Sequence, residues 1–125
     1  RQILDACRYG MPSKDLEHRD FEPKRYWQGP VWAVTNHMIL AGLVDAGESE
    51  LASRISSDTR DLIEAHGMAE YFDPIDGAGL GGMDFSCTAA IYLDLYRHEV
   101  APLPRDCIAT ALGSIAEGIS SYGID

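Results

Sequence analysis

PVWAVTNHMILAGLVDAGESELASRISSDTRDLIEAHG, residues 30–67, carries two helical patterns in succession and decides the fold class. Pro30 suits the first turn of a helix, where its missing N–H costs no hydrogen bond. Val31, Val34, Thr35, Met38, Ile39, Gly42 and Leu43 follow at helical spacing, and Gly47 supplies the residue that closes such an element. Ser49 is a suitable N-cap for a second helix, because its hydroxyl can accept from the unpaired N–H groups of a first turn. The stripe of that helix is Leu51, Ile55, Leu62, Ile63 and His66, and Gly67 ends it. So short a connection between two amphipathic helices predicts a helical hairpin.

Working outward, Arg1 to about Arg8 reads as the last turns of a helix, stopped by Gly10, Met11 and Pro12. Residues 12–30 are polar, lack useful periodicity and contain Pro12, Pro23 and Pro30. They predict a long loop, the kind of segment that tends to carry function. Residues 70–82, EYFDPIDGAGLGG, are too rich in glycine and proline to continue a helix. A third helix is expected from Thr88 to about His98, capped by Asp84 or Ser86, with Ala89 and Ala90 as a small face for close packing. Pro102 and Pro104 interrupt the chain, and a weaker amphipathic segment runs from Cys107 to Ile119, with Gly113 and Gly118 against it. No run alternates with period two over a useful length. The fold class is therefore all-α, with antiparallel helix hairpins joined by long loops, as in part of an α/α toroid. Three or four helices cannot close such a ring, so upstream sequence or a partner chain is expected to complete it.

The chain has 125 residues, 46% hydrophobic and 24% charged, the balance of a globular domain or a piece of one. Twenty acidic against ten basic residues give a formal charge of −10. That field repels phosphate backbones and anionic lipid, which argues against nucleic-acid and membrane-surface partners. Cys7, Cys87 and Cys107 are odd in number and lack CxxC spacing, so neither a disulfide framework nor a zinc site is expected. Idle thiols fit a reducing, cytoplasmic compartment. No apolar run reaches the length of a membrane span, and no signal peptide is expected. The helical pattern already under way at Arg1 suggests a fragment of a longer domain.

Chemistry concentrates in two places. Arg25, Tyr26, Trp27, Gln28 and Trp32 form the densest group of aromatic and hydrogen-bonding side chains, at a loop-to-helix junction that holds both tryptophans. Sugars present an apolar C–H face that matches an indole and a rim of hydroxyls that matches Arg and Gln. Large aromatics are also common core anchors, so a core role for Trp27 and Trp32 competes with sugar stacking. Glu70 follows a helix end and precedes two aromatics and Asp73. A carboxylate against aromatic walls can serve as a general base on water. Asp73 before Pro74 needs no more than a turn to explain it. Gly77, Gly79, Gly81 and Gly82 match no phosphate-binding loop, and flexibility near a ligand or a tight crossover accounts for them better. His18, His37, His66 and His98 lack metal-ligand spacing, and His37 and His66 fall on or near apolar faces as core or interface residues. Ser86 forms no nucleophile elbow with any histidine.

Taken in order, RYWQGPVW (25–32), EYFDP (70–74), GLGG (79–82) and FSCTAA (85–90) resemble the C-terminal third of glycoside hydrolase family 63. Within it they are most similar to the mannosylglycerate and glucosylglycerate hydrolases, and trehalases share a related order of motifs. The resemblance covers about residues 8–97 and leaves 98–125 as a tail. It implies that residues 1–125 are the C-terminal portion of an (α/α)6 catalytic domain that hydrolyses a small glycoside with inversion, using two carboxyl groups. Residue by residue, it implies Glu70 as the general base, Tyr26, Trp27, Gly29 and Trp32 as sugar-contacting positions, and Asp84 as a hydroxyl contact. No metal or cofactor is implied. Two departures matter. Cys87 stands after Phe85 and Ser86 where the family carries tryptophan, so an aromatic surface is lost. The aspartate that serves the family as general acid lies far upstream of this span, and no aspartate here takes its place. Two other readings stay open: a non-catalytic carbohydrate-binding relative, and a helical scaffold whose aromatics are core.

Overall fold

The computed structural model describes residues 2–99; the segment from Cys107 to Ile119 and the rest of the tail lie outside them. The chain divides into two units, residues 1–95 and 96–125, and the architecture below is that of the first. The elements in order are α1 (Gln2–Ala6), α2 (Ala33–Asp45), α3 (Ser49–His66), β1 (Tyr71–Phe72), β2 (Gly79–Leu80) and α4 (Ser86–Glu99). The mainly helical reading holds, with a short antiparallel ladder added to it.

The hairpin is made by α2 and α3. Its turn is a Schellman motif: Gly47, at φ +76°, donates its N–H to the Val44 carbonyl (3.0 Å), and Glu48 donates to Leu43 (2.9 Å). Those bonds satisfy carbonyls that the helix end leaves open. Glu48 is the N-cap of α3 and Ser49 its first helical residue, one position from the expected cap. At the other end Gly67, at φ +85°, stops the helix as anticipated.

The start of α2 differs from expectation. Pro30 is not in the first turn, because Val31 is extended and bridges both Pro12 and Phe72. Trp32, at φ −116° and ψ 125°, is the N-cap, and its carbonyl accepts the first helical bond from Asn36 (3.1 Å). The apolar stripe is only partly the buried face: Val31 is in the core and Val34 packs against it. The buried residues of α2 are Ala33 and Asn36, while Met38, 69% exposed, and Gly42 point outward. In α3 the expected Ile55, Leu62 and Ile63 are buried, joined by Ala52 and Thr59, while Leu51 and His66 are half-buried.

Asn36 and Thr59 are polar residues in a dry place, and their bonds explain why that is tolerated. Asn36 Nδ2 donates to Thr59 Oγ1 (3.0 Å) and to the Tyr9 carbonyl (3.3 Å), and its Oδ1 accepts from the Met11 N–H (2.9 Å). Thr59 Oγ1 donates in turn to the Ile55 carbonyl (2.7 Å). Gly10, at φ +91°, lets the chain pass: a Cβ there would stand 2.5 Å from Asn36 Nδ2. This network ties the entrance of the long loop to the hairpin.

The core gathers Cys7, Val31, Ala33, Leu62, Ile63, Ala69, Phe72, Ile91 and Leu95. Burying each large side chain contributes roughly 1.5–3 kcal/mol, and Phe72, Ile55 and Leu62 are wholly covered. Helix α4 joins this core through Thr88, Ile91 and Leu95, so the expected small face is corrected: Ala90 is exposed. Nor does Asp84 or Ser86 occupy its cap. The Phe85 carbonyl accepts the first bond, from Ala89 (3.1 Å), and Thr88 Oγ1 pins the helix start to the Ala69 carbonyl (2.8 Å). His37 on α2 and Asp94 on α4 pair at 2.9 Å, which gives His37 the interface role expected of it.

Candidate functional site

The long loop is closed at its base. Pro12 bridges Val31, Ser13 donates its N–H to the Pro30 carbonyl (2.9 Å), and Gly29 donates to Ser13 Oγ (3.1 Å). Within it residues 22–28 wind tightly: Arg25 N–H reaches the Glu22 carbonyl (3.1 Å), Gln28 reaches Arg25 (2.7 Å), and Glu22 reaches back to Gln28 (2.8 Å). Gly29 is buried against this winding, and a Cβ there would run into the Glu22 carbonyl. Tyr26 at the tip has φ +37°, a conformation that side-chain-bearing residues rarely adopt. Such strain persists only where surrounding contacts over-determine it.

Those contacts are aromatic. Trp27 and Trp32 stack at 4.2 Å with planes 7° apart. Tyr71 stacks on Trp32 at 4.8 Å. Tyr26 stands edge-on to Trp27 (5.7 Å), Trp32 (4.8 Å) and Tyr71 (5.5 Å). The Trp32 indole N–H donates to the Tyr26 carbonyl (3.1 Å). Exposure separates the roles. Trp32 is 5% exposed, whereas Tyr26 (49%) and Trp27 (47%) remain half open. Each ring pair adds on the order of 0.5–1.5 kcal/mol beyond area burial, enough together to hold the strained tip.

The two motifs meet through one backbone pair. Val31 and Phe72 exchange both hydrogen bonds, at 2.8 and 2.9 Å. In such an antiparallel pair the next opposed residues are side-chain neighbours, and here they are Trp32 and Tyr71. Lys24 adds a second link across the motifs, 3.7 Å from the buried Asp73. Asp73 otherwise builds the turn, accepting from Ile75 N–H at 2.8 Å and bonding through its own backbone to Ala78 and Gly77.

Glu70 is the residue just before Tyr71, and it is half-buried. Its N–H donates to the Gly82 carbonyl (2.8 Å), and its Oε2 accepts the Gly82 N–H (3.1 Å). The carboxylate is therefore held one residue from the aromatic group. Asp84 lies two residues beyond Gly82, exposed and at φ +57°, on a segment fastened by the bond from Phe85 N–H to the Met68 carbonyl (2.7 Å). Cys87 is exposed and free. Cys7 is free and buried, and burial pushes its thiol above the ordinary value.

Sequence reasoning brought forward Glu70, Tyr26, Trp27 and Trp32, which the fold collects around one ladder. It missed Tyr71 and Lys24. The signal for Tyr71 was its place beside Glu70; for Lys24 there was none, since its partner is 49 positions away. Among the described residues no group of three or more His, Cys, Asp or Glu is placed to hold a metal ion, and no helix is long and apolar enough to cross a membrane. Two depressions, of about 430 and 370 Å³, are lined by Asp5, Glu50, Leu51 and Arg54 and by Arg8, Tyr9, Asp58, Asp61, Ala65 and His66. Neither lining includes Glu70 or the stacked tryptophans.

The profile of the mannosylglycerate hydrolase MGH1-like glycoside hydrolase domain matches residues 1–88. The chain belongs to this family. Mannosylglycerate hydrolase MGH1 of Selaginella moellendorffii is 46% identical over 90 residues, which cover 72% of this chain and 18% of that protein. A mannosylglycerate hydrolase of Thermus thermophilus is 45% identical over 89 residues, 71% of this chain and 21% of its own length. A glucosylglycerate hydrolase of Mycolicibacterium hassiacum is 36% identical over 88 residues, 70% of this chain and 20% of that protein. The crystal structure of a family 63 mannosylglycerate hydrolase of Thermus thermophilus in complex with Tris and D-glycerate superposes with a TM-score of 0.70. That match is 43% identical and covers 74% of this chain and 23% of the other. The chain thus spans about a fifth of the length of the curated relatives it matches.

Proposed function

We propose that this segment supplies the base side of the active site in an inverting α-glycoside hydrolase acting on a small glycoside such as mannosylglycerate or glucosylglycerate. The observation that supports it most is the Val31–Phe72 exchange, which sets Tyr71, the chain neighbour of Glu70, against the Tyr26–Trp27–Trp32 cluster. Trp27 and Tyr26, half open, offer the apolar face of a sugar a platform. Trp32 and Gly29 act behind that surface, one as the covered backing of Trp27 and the other by letting the loop wind closely. Asp84 is available to a hydroxyl.

In the reaction, Glu70 takes a proton from a water as its oxygen attacks the anomeric carbon. The bond from that carbon to the leaving oxygen breaks, and a carboxylic acid outside this chain protonates the leaving oxygen. The product has inverted configuration, and the two carboxyl groups stand roughly 6.5–9.5 Å apart to admit the water. An (α/α)6 toroid, completed by sequence upstream or by a partner chain, is the frame that supplies the acid. The free Cys7 and Cys87 support a reducing, cytoplasmic setting.

The test is Glu70→Gln in the complete protein with mannosylglycerate and glucosylglycerate. A general base contributes about 10²–10⁴-fold, so kcat should fall by that factor with KM little changed. Retention of most of the rate would sink the proposal. One observation favours a second reading, a non-catalytic sugar-binding relative: the exposed thiol of Cys87, where the family carries an aromatic. Calorimetric binding of these glycosides by the complete protein without turnover supports that alternative.

A further inference from the structure

The register of β1 and β2 pairs Tyr71 with Leu80 and Phe72 with Gly79, and just beyond it the Glu70 N–H bonds to the Gly82 carbonyl, leaving Gly81 between. Gly81 has φ +73°, and the space where its Cβ would be is occupied. A Cβ there would stand 2.6 Å from Glu70 Oε2 and 2.6 Å from Tyr71 Cε1, closer than real Cβ atoms come, and a tight 3.0 Å from Glu70 Cβ. The Glu70 side chain thus folds over Gly81, and its Oε2 accepts the Gly82 N–H. The same small space takes the edge of the Tyr71 ring, whose face packs on Trp32.

We propose that Gly81 and Gly82 are positioning residues for Glu70, which rests on the reading of Glu70 as the base. Gly82 engages Oε2 and so holds one carboxylate oxygen, which leaves Oε1 for the water. Gly81 leaves the room in which that carboxylate and the Tyr71 ring sit together. The pair of glycines ties the orientation of the base to the aromatic wall through a shared small volume. A hydrogen bond from a backbone N–H has no rotamer to lose, so the orientation is set before substrate arrives.

The experiment is a double-mutant cycle on the complete protein, with mannosylglycerate and glucosylglycerate as substrates. Gly81→Ala should lower kcat by about 10- to 100-fold, the size of a misplacement of roughly 1 Å, with KM changed by less than about threefold. In a Glu70→Gln background the same substitution should cost less than about twofold, because it acts through the group already removed. Gly81→Asn tolerates a positive φ better than alanine but still carries a Cβ, so it should lose as much as alanine. Near-wild-type kinetics for Gly81→Asn would mean backbone strain alone, and an equal loss in both backgrounds would mean a merely structural role; each overturns the proposal. Should Gly81→Ala fail to fold, the Gly82 amide resonance decides instead. It should follow the Glu70 carboxylate on acidification and lose that titration in Glu70→Gln; an amide indifferent to Glu70 overturns the proposal. A Glu70→Gln enzyme at wild-type rate removes the reading of Glu70 as base, an outcome separate from any of these.

Discussion

Asn36 shows how a single residue can defeat a periodic reading. The stripe drawn from Val31 to Leu43 follows apolar character, and an asparagine cannot be on it. Yet Asn36 is wholly buried, because three bonds to Tyr9, Met11 and Thr59 offset its desolvation. Asn36→Ala would leave these partners unsatisfied in a dry place. It should lower unfolding free energy by about 2–4 kcal/mol in urea titration, and a loss below about 1 kcal/mol would show that water replaces the network. Residue identity made other parts legible. Gly47 and Gly67 carry the positive φ that helix ends require, and both ends fell where expected. Glu70, Tyr26 and Trp27 stood out because a carboxylate and open aromatics are the groups that sugar chemistry uses. Trp32 stood out for the same reason, but its burial gives it a supporting place.

At the scale of elements, the helix pattern of α3 was readable because its buried residues recur every three or four positions. The ladder was not. Its strands are two residues long, and Val31 pairs with a residue 41 positions away. Local sequence has no means of announcing such a partner, and proline at 30 argued for helix instead. Within α3, Asp58 faces inward beside Arg54 (3.5 Å), and its Oδ2 is buried without a well-aligned hydrogen bond. Burial raises its pKa above 3.8, with the Arg54 charge opposing that rise. A carboxyl whose folded pKa is raised contributes stability fully below its unfolded value, and that contribution is lost as pH rises through the folded value. Asp58→Asn should therefore melt higher than wild type at pH ~7, with the difference vanishing as pH falls below about 4. A difference that grows on acidification would contradict the burial account.

At the scale of the whole molecule, α2 is informative because it is apolar on both faces. Ala33 and Leu40 turn to the core described here, while Met38 and Val44 turn outward. A helix with apolar residues all round is one that is covered all round. That agrees with a chain spanning about a fifth of its relatives and supports the proposal that a larger toroid completes it. On the proposed mechanism, the general acid belongs to the same remainder. On that proposal the base and the aromatic wall are what this segment brings, and the central claim is that Glu70 delivers a proton acceptor to a water on one face of the sugar. Azide rescue addresses it most directly. Glu70→Ala in the complete protein should cut hydrolysis of mannosylglycerate by about 100-fold or more. Azide, a nucleophile that needs no base, should then restore turnover and yield a glycosyl azide of inverted configuration by proton NMR. Hydrolysis by Glu70→Ala at the wild-type rate, or an azide product of retained configuration, would contradict the account.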